Sequence, residues 1–181
     1  MSERLFLAVN LVDPVKDEIK KRQDQIKAQM QRSQITWTWP ENFHITLHFL
    51  GDMEETEHER LRQELRAKKY PETFASHVLG VSAFPSKKQP RTIFVDTDLH
   101  PNMLGLRKRT ADVLVKLGFE LDERPWTPHI TIGRVRVQSE VLKPEEIKWE
   151  KVLFQVSSFE LMRSTLTSNG SIYEIVESFK L

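Results

Sequence analysis

Two short stretches of the chain nearly repeat one another: His44-Ile45-Thr46-Leu47 and His129-Ile130-Thr131-Ile132. An imidazole has an unperturbed pKa near 6.5 and can give or take a proton close to neutrality. A threonine hydroxyl two residues on can donate a hydrogen bond to an anionic oxygen. Two such units supply an acid and a base for one reaction, the neutral ring taking a proton from water and the protonated ring giving one to a leaving oxygen. That pairing suits an anionic, tetrahedral centre with a poor leaving group, which is a phosphate diester. No carboxylate cluster adjoins either histidine in the sequence, so the expectation is acid–base phosphoryl transfer with no metal and no other cofactor.

The elements that must position these groups are strands. Each stretch is rich in β-branched and large apolar residues, is preceded by a proline (Pro40, Pro128) and runs to a glycine (Gly51, Gly133). Alternation along a strand puts His44 and Thr46 on one face and Ile45 and Leu47 on the other, and does the same for His129 and Thr131 against Ile130 and Ile132. By the same rule Phe49 falls on the buried Ile45/Leu47 face. Arg134 points away from His129 unless the strand ends or bulges at Gly133. On a strand the Cα atoms of His44 and His48 lie about 13 Å apart, too far for one metal ion to take both. His58 and His100 sit in polar surroundings and read as solvated; His77 fits either face of a strand, and none of the three is given a role.

Around these segments the chain reads as strand, helix, strand, strand, helix, strand, a rhythm that suggests internal duplication. Residues 4–10 form a first strand. Asp13-Pro14 reads as a helix cap with proline after it, and Val15, Ile19, Ile26 and Met30 carry the apolar stripe of the helix. Residues 35–39 form a strand or its edge, and 54–69 a charged helix. Phe74 to Phe84 and Arg91 to Asp96 are neighbouring strands, and a helix covers residues 102–117. After a helical turn or loop at Lys143 to Glu146, two alternating runs, Val152 to Leu166 and Ile172 to Leu181, are joined by a hairpin turn at Ser168-Asn169-Gly170. The fold class is α+β, a single two-lobed domain over residues 1–181 with antiparallel sheets around a central cleft and helices outside.

With 27 basic and 26 acidic residues the formal charge is +1, so any nucleic-acid contact must come from a local basic patch. The chain has no cysteine, which excludes disulfides, thiolate metal sites and a cysteine nucleophile. No apolar run is long enough for a membrane span, and a cytoplasmic protein is expected.

The paired motifs resemble those of the two-histidine phosphoesterase superfamily, and the wider pattern resembles the bacterial and archaeal RNA 2′,3′-cyclic phosphodiesterases once called 2′-5′ RNA ligases. Leu5 to Val9, Pro40-Glu41-Asn42-Phe43, Phe49-Leu50-Gly51, Pro90 to Phe94, Thr127-Pro128, Arg163 to Leu166, Tyr173 and Phe179-Lys180-Leu181 extend that likeness over nearly the whole chain. The resemblance implies hydrolysis of a terminal RNA 2′,3′-cyclic phosphate to a 2′-phosphate. It implies His44 as general acid, His129 as general base, and Thr46, Thr131 and Arg134 as phosphate ligands. Phe49 and Trp126, and beside them Trp37 and Trp39, are candidates to stack on a base. The implied partner is RNA with a cyclic phosphate end, tRNA fragments among them, acted on by a monomer. Two alternatives stand beside this reading: a 2′-5′ RNA ligase or diesterase acting on another nucleotide, and a non-catalytic module that binds RNA ends.

Overall fold

The computed structural model of the protein describes residues 3–122, 124–147, 149–167 and 170–181. Its elements are β1 (Glu3–Asn10), α1 (Asp13–Gln29), β2 (Gln34–Trp37), β3 (His44–Met53), α2 (Glu55–Ala67), β4 (Phe74–Pro85) and β5 (Pro90–Thr97), followed by α3 (Pro101–Lys116), β6 (His129–Val137), β7 (Val152–Val156), β8 (Ser158–Thr167) and β9 (Gly170–Lys180). Single 3-10 turns stand at Pro40–Asn42 and Pro144–Glu146.

All strand pairs are antiparallel, in the order β7-β4-β5-β6-β3-β1-β8-β9, with β2 also on β6. Among the described residues the two histidine strands pair at a single bridge, Ile45 with Ile130. That seam joins two four-stranded lobes, β3-β1-β8-β9 and β6-β5-β4-β7, into one curled sheet. The helices are exchanged between them: α1 leaves β1 of the first lobe and packs against β7 of the second, while α3 leaves β5 of the second and packs against β3 of the first. The apolar stripes of α1 (Val15, Ile19, Ile26) and α3 (Met103, Leu106, Val113, Leu114) are buried with Leu7, Ile45, Ile130 and Ile132 in one core on the helical side. Each such side chain contributes roughly 1.5–3 kcal/mol relative to exposure. A smaller buried patch of Phe6, Ala8 and Met162, with Tyr173 against it, forms apart from that core.

Several sequence expectations do not hold in the structure. Val152 to Leu166 is not one strand: at Ser157 the chain passes from β7, paired with β4 in the second lobe, to β8, paired with β1 in the first. The inward-facing positions shift there from even (Phe154, Val156) to odd (Phe159, Leu161), so the two serines mark a break in the alternation that the single-strand reading passed over. Val12, not Asp13, is the N-cap of α1, and it makes no side-chain cap. In the predicted hairpin turn, Ser168 and Asn169 lie outside the described residues, while Gly170 opens β9 with φ of +121°. His58 is buried, not solvated, and bonds the Met53 carbonyl at 3.1 Å. His100 caps α3 by accepting the Asn102 N–H and stacks on Phe74 at 4.7 Å.

Candidate active site

Each histidine is anchored through its Nδ1 to the carbonyl two residues before it, His44 to Asn42 and His129 to Thr127, both at 2.7 Å. A carbonyl only accepts, so Nδ1 carries the proton in both rings and Nε2 is left as the working atom. The repeat in sequence is thus a repeat in chemistry. The Nε2 atoms differ, however. That of His44 lies 3.1 Å from the Thr46 hydroxyl, whereas among the described residues no hydrogen-bond partner meets that of His129. The antiparallel bridge at Ile45 and Ile130 brings the two His-x-Thr units side by side, each histidine next to the other unit's threonine.

Both histidines are held in aromatic surroundings. Phe6 and Tyr173 stand 5.0 and 5.2 Å from the His44 ring, and Phe94 and Phe84 stand 5.0 and 5.3 Å from that of His129. Burial is the main reason that the His44 pKa is pushed down, to about 4, with His129 and Lys16 adding like-charge repulsion against the Asn42 carbonyl's pull upward. Burial likewise lowers His129, aided by Arg134 and opposed by the Thr127 carbonyl and by Asp96, its partner across β5. Both rings are therefore neutral at neutral pH.

Arg134 reaches the cleft face through a bulge. On β5, Phe94 pairs with Thr131 and the next residue, Ile93, with Gly133, so Ile132 is an extra residue in β6. The slip reverses the alternation, and Arg134 emerges opposite Thr92, close enough to influence His129. Gly133 is required at this point, since a Cβ there would meet the Trp37 ring at 3.0 Å. The first lobe does the same: Ala8 pairs with Thr46 and Leu7 with His48, leaving Leu47 as the extra residue. This overturns the expected burial of Phe49, which instead is 74% exposed and lines the cleft. Phe49 and Arg134 each sit five residues past their histidine, so the duplication places an aromatic in one lobe where the other has a cation.

Beside the pair lies a cavity of about 920 Å³, lined by Thr46, Phe49, Phe84, Arg91, Arg107, Trp126 and His129 among others. Trp126 is fixed there by its indole N–H, which donates to the Thr46 carbonyl at 3.1 Å, and by the Arg107 guanidinium over its ring at 5.0 Å. Trp37 packs instead on Gly133 and the core, and Trp39, though exposed, is not among the cavity's walls. His48 turns away, bonding the Arg107 carbonyl and the Thr110 hydroxyl. Arg91, which in sequence could equally contact RNA phosphates or be solvated, lines the cavity; sequence reasoning missed Arg107, which looks in sequence like any exposed helix cation.

The family described as LigT-like phosphoesterase matches the chain twice, over residues 9–95 and 93–173, once for each histidine motif. The chain belongs to this family. A Methanocaldococcus jannaschii protein named RNA 2′,3′-cyclic phosphodiesterase is 33% identical over 181 residues, spanning 97% of this chain and 99% of the relative. A Methanothermobacter thermautotrophicus protein of the same name is 32% identical, with complete coverage of both chains. Among solved structures, a Thermus thermophilus protein superposes with a TM-score of 0.87 at 25% identity, covering 98% of this chain and 97% of its own. Escherichia coli LigT, solved with 3′-AMP, shares the fold at a TM-score of 0.82 and 18% identity, covering 100% of this chain and 99% of its own.

Proposed function

We propose that the cleft hydrolyses a terminal RNA 2′,3′-cyclic phosphate to a 2′-phosphate and a free 3′-hydroxyl, with His44 and His129 as acid and base. The observation that carries this reading is the pair of imidazoles, each fixed through Nδ1, that present Nε2 from adjacent strands. It is supported by relatives of that name along the whole chain.

In this mechanism His129, whose Nε2 is unengaged, takes a proton from the attacking water as the new P–O bond forms. His44 gives its Nε2 proton to the 3′ oxygen as that P–O bond breaks. Before it is loaded with that proton, neutral His44 accepts a hydrogen bond from the Thr46 hydroxyl. Once protonated, Nε2 becomes the donor and the Thr46 hydrogen is released to turn toward a phosphate oxygen. Loading the acid and arming the oxyanion contact are then one event. Thr131 and Arg134 hold the other non-bridging charge, and developing negative charge in a partly desolvated cleft makes these donors count. Phe49 and Trp126 stack on the terminal base, with Arg107 stiffening Trp126. The enzyme acts as a monomer on RNA fragments, tRNA pieces included, in the cytoplasm; no helix among the described residues is long and apolar enough to cross a membrane.

The test is incubation with an oligoribonucleotide ending in a 2′,3′-cyclic phosphate, in the presence of a chelator, with the product identified by mass and phosphatase sensitivity. A 2′-phosphate end is expected, lost in both His44→Ala and His129→Ala while the fold persists. Normal turnover in either variant, or turnover that requires a divalent metal, refutes the mechanism.

A further inference from the structure

We propose that Gln23, on the helical side of the sheet, is a positioning residue for Arg134, acting through the backbone of the bulge. The inference rests on the reading of Arg134 as a phosphate ligand.

Gln23 occupies a core position of α1, one turn after Ile19 and just before Ile26, and is 1% exposed. Leucine would fill such a position without leaving polar atoms to satisfy. The amide carries a cost here, because its Oε1 is buried with no hydrogen-bond partner. What it provides is two donors. Nε2 donates to the carbonyl of Ile132 and to that of Thr38, both at 2.8 Å. Ile132 is the extra residue of the β6 bulge, and its carbonyl points away from β5, toward the end of β2. The Thr38 N–H donates to the same carbonyl at 3.1 Å. The side chain therefore ties the bulge to the end of β2, and Trp37, packed on Gly133, closes the next residue.

This arrangement decides which way Arg134 points. With the slip at Ile132, Arg134 shares the cleft face with His129 and Thr131. Without it, strict alternation returns Arg134 to the core side, where a guanidinium has no partner. The Ile132 carbonyl takes the Thr38 N–H with one lone pair, and the Gln23 amide adds a second donor to it only where the bulge puts Ile132. The residue thus biases β6 toward the register that the phosphate site needs, from behind the sheet and without touching substrate.

The test is a double-mutant cycle on the full-length protein, with Gln23→Leu, Arg134→Ala and the pair compared on cyclic phosphate RNA and, separately, in titrations with inorganic phosphate. Arg134→Ala removes a charge-assisted contact and is expected to cost about tenfold or more in kcat/KM. Gln23→Leu is expected to cost a comparable factor and to weaken phosphate binding, yet to add nothing once Arg134 is alanine. If Gln23→Leu does not fold, Gln23→Glu takes its place: it keeps the shape, donates at most one hydrogen, and is expected to show a partial loss with the same dependence on Arg134. Equal fold-losses with and without Arg134, or unchanged kinetics and phosphate affinity in a folded variant, overturn the proposal. If the wild-type protein turns over no cyclic phosphate, the functional reading fails, but the phosphate titrations still report whether the two residues are coupled.

Discussion

The buried, neutral state of His44 has a measurable consequence for stability. Its pKa falls from 6.5 when unfolded to about 4 in the folded protein, chiefly because the ring is desolvated between Phe6 and Tyr173. A histidine whose folded pKa is depressed leaves stability intact above the unfolded value. That stability is lost as pH falls below 6.5 and toward 4, because the unfolded chain takes up the proton first. Each tenfold of differential proton binding corresponds to about 1.4 kcal/mol, so the loss traceable to His44 reaches about 3 kcal/mol at about pH 4. His44→Gln removes this titration while leaving His129 and His48 in place. The assay is urea unfolding of both proteins at steps between about pH 7.5 and about pH 4. The variant starts less stable by whatever packing it loses, but its curve is expected to fall less steeply, the two converging by about 3 kcal/mol. Parallel curves across that range would refute the claim that the fold holds His44 neutral.

Binding a phosphomonoester is expected to reverse this shift, since an anion beside the ring favours its charged form. Calorimetry of adenosine 2′-phosphate binding near neutral pH, in buffers of differing ionisation enthalpy, should therefore show net proton uptake that is reduced in His44→Gln. Phe49→Ala is expected to weaken binding of the RNA end by about tenfold, as loss of a base-stacking platform does, and to leave thermal stability nearly unchanged because the ring is 74% exposed. Gly133→Ala forces a Cβ against Trp37 and should destabilise by about 1–3 kcal/mol, read as a lowered melting temperature.

Much of the site could be read from residue order because a strand's alternation is a local property. His44 with Thr46 and His129 with Thr131 share faces as their spacing requires, and the twin Nδ1 anchors follow from the twin motifs. The reading failed at Phe49, and left Arg134 conditional on a bulge, for one physical reason: a single inserted residue reverses the faces that follow it, and Leu47 and Ile132 look like any other apolar strand residue. Gly133 was the one visible mark of the bulge. Gln23 left a trace as well, the gap in the apolar stripe between Ile19 and Ile26. His58 and His100 were misjudged because polar neighbours in sequence do not imply water in space. The slip in alternation at Ser157-Ser158 was legible, but the change of lobe that it marks, like the exchange of helices between lobes, depends on long-range packing that no local pattern encodes.

That passage at Ser157 has a consequence for how the protein is made. The lobe that carries His44 contains β1 and β3, yet its other two strands, β8 and β9, are translated only after the whole of the second lobe. Until they arrive, β1 has one unpaired edge, even after α3, which packs behind the same lobe, has been made. Synthesis proceeds at about 5–20 residues per second, so a nascent chain carries an exposed, strongly apolar strand, Leu5 to Val9, for several seconds before its neighbour is available. The first motif is translated early, but the sheet around it is completed only when β8 pairs with β1.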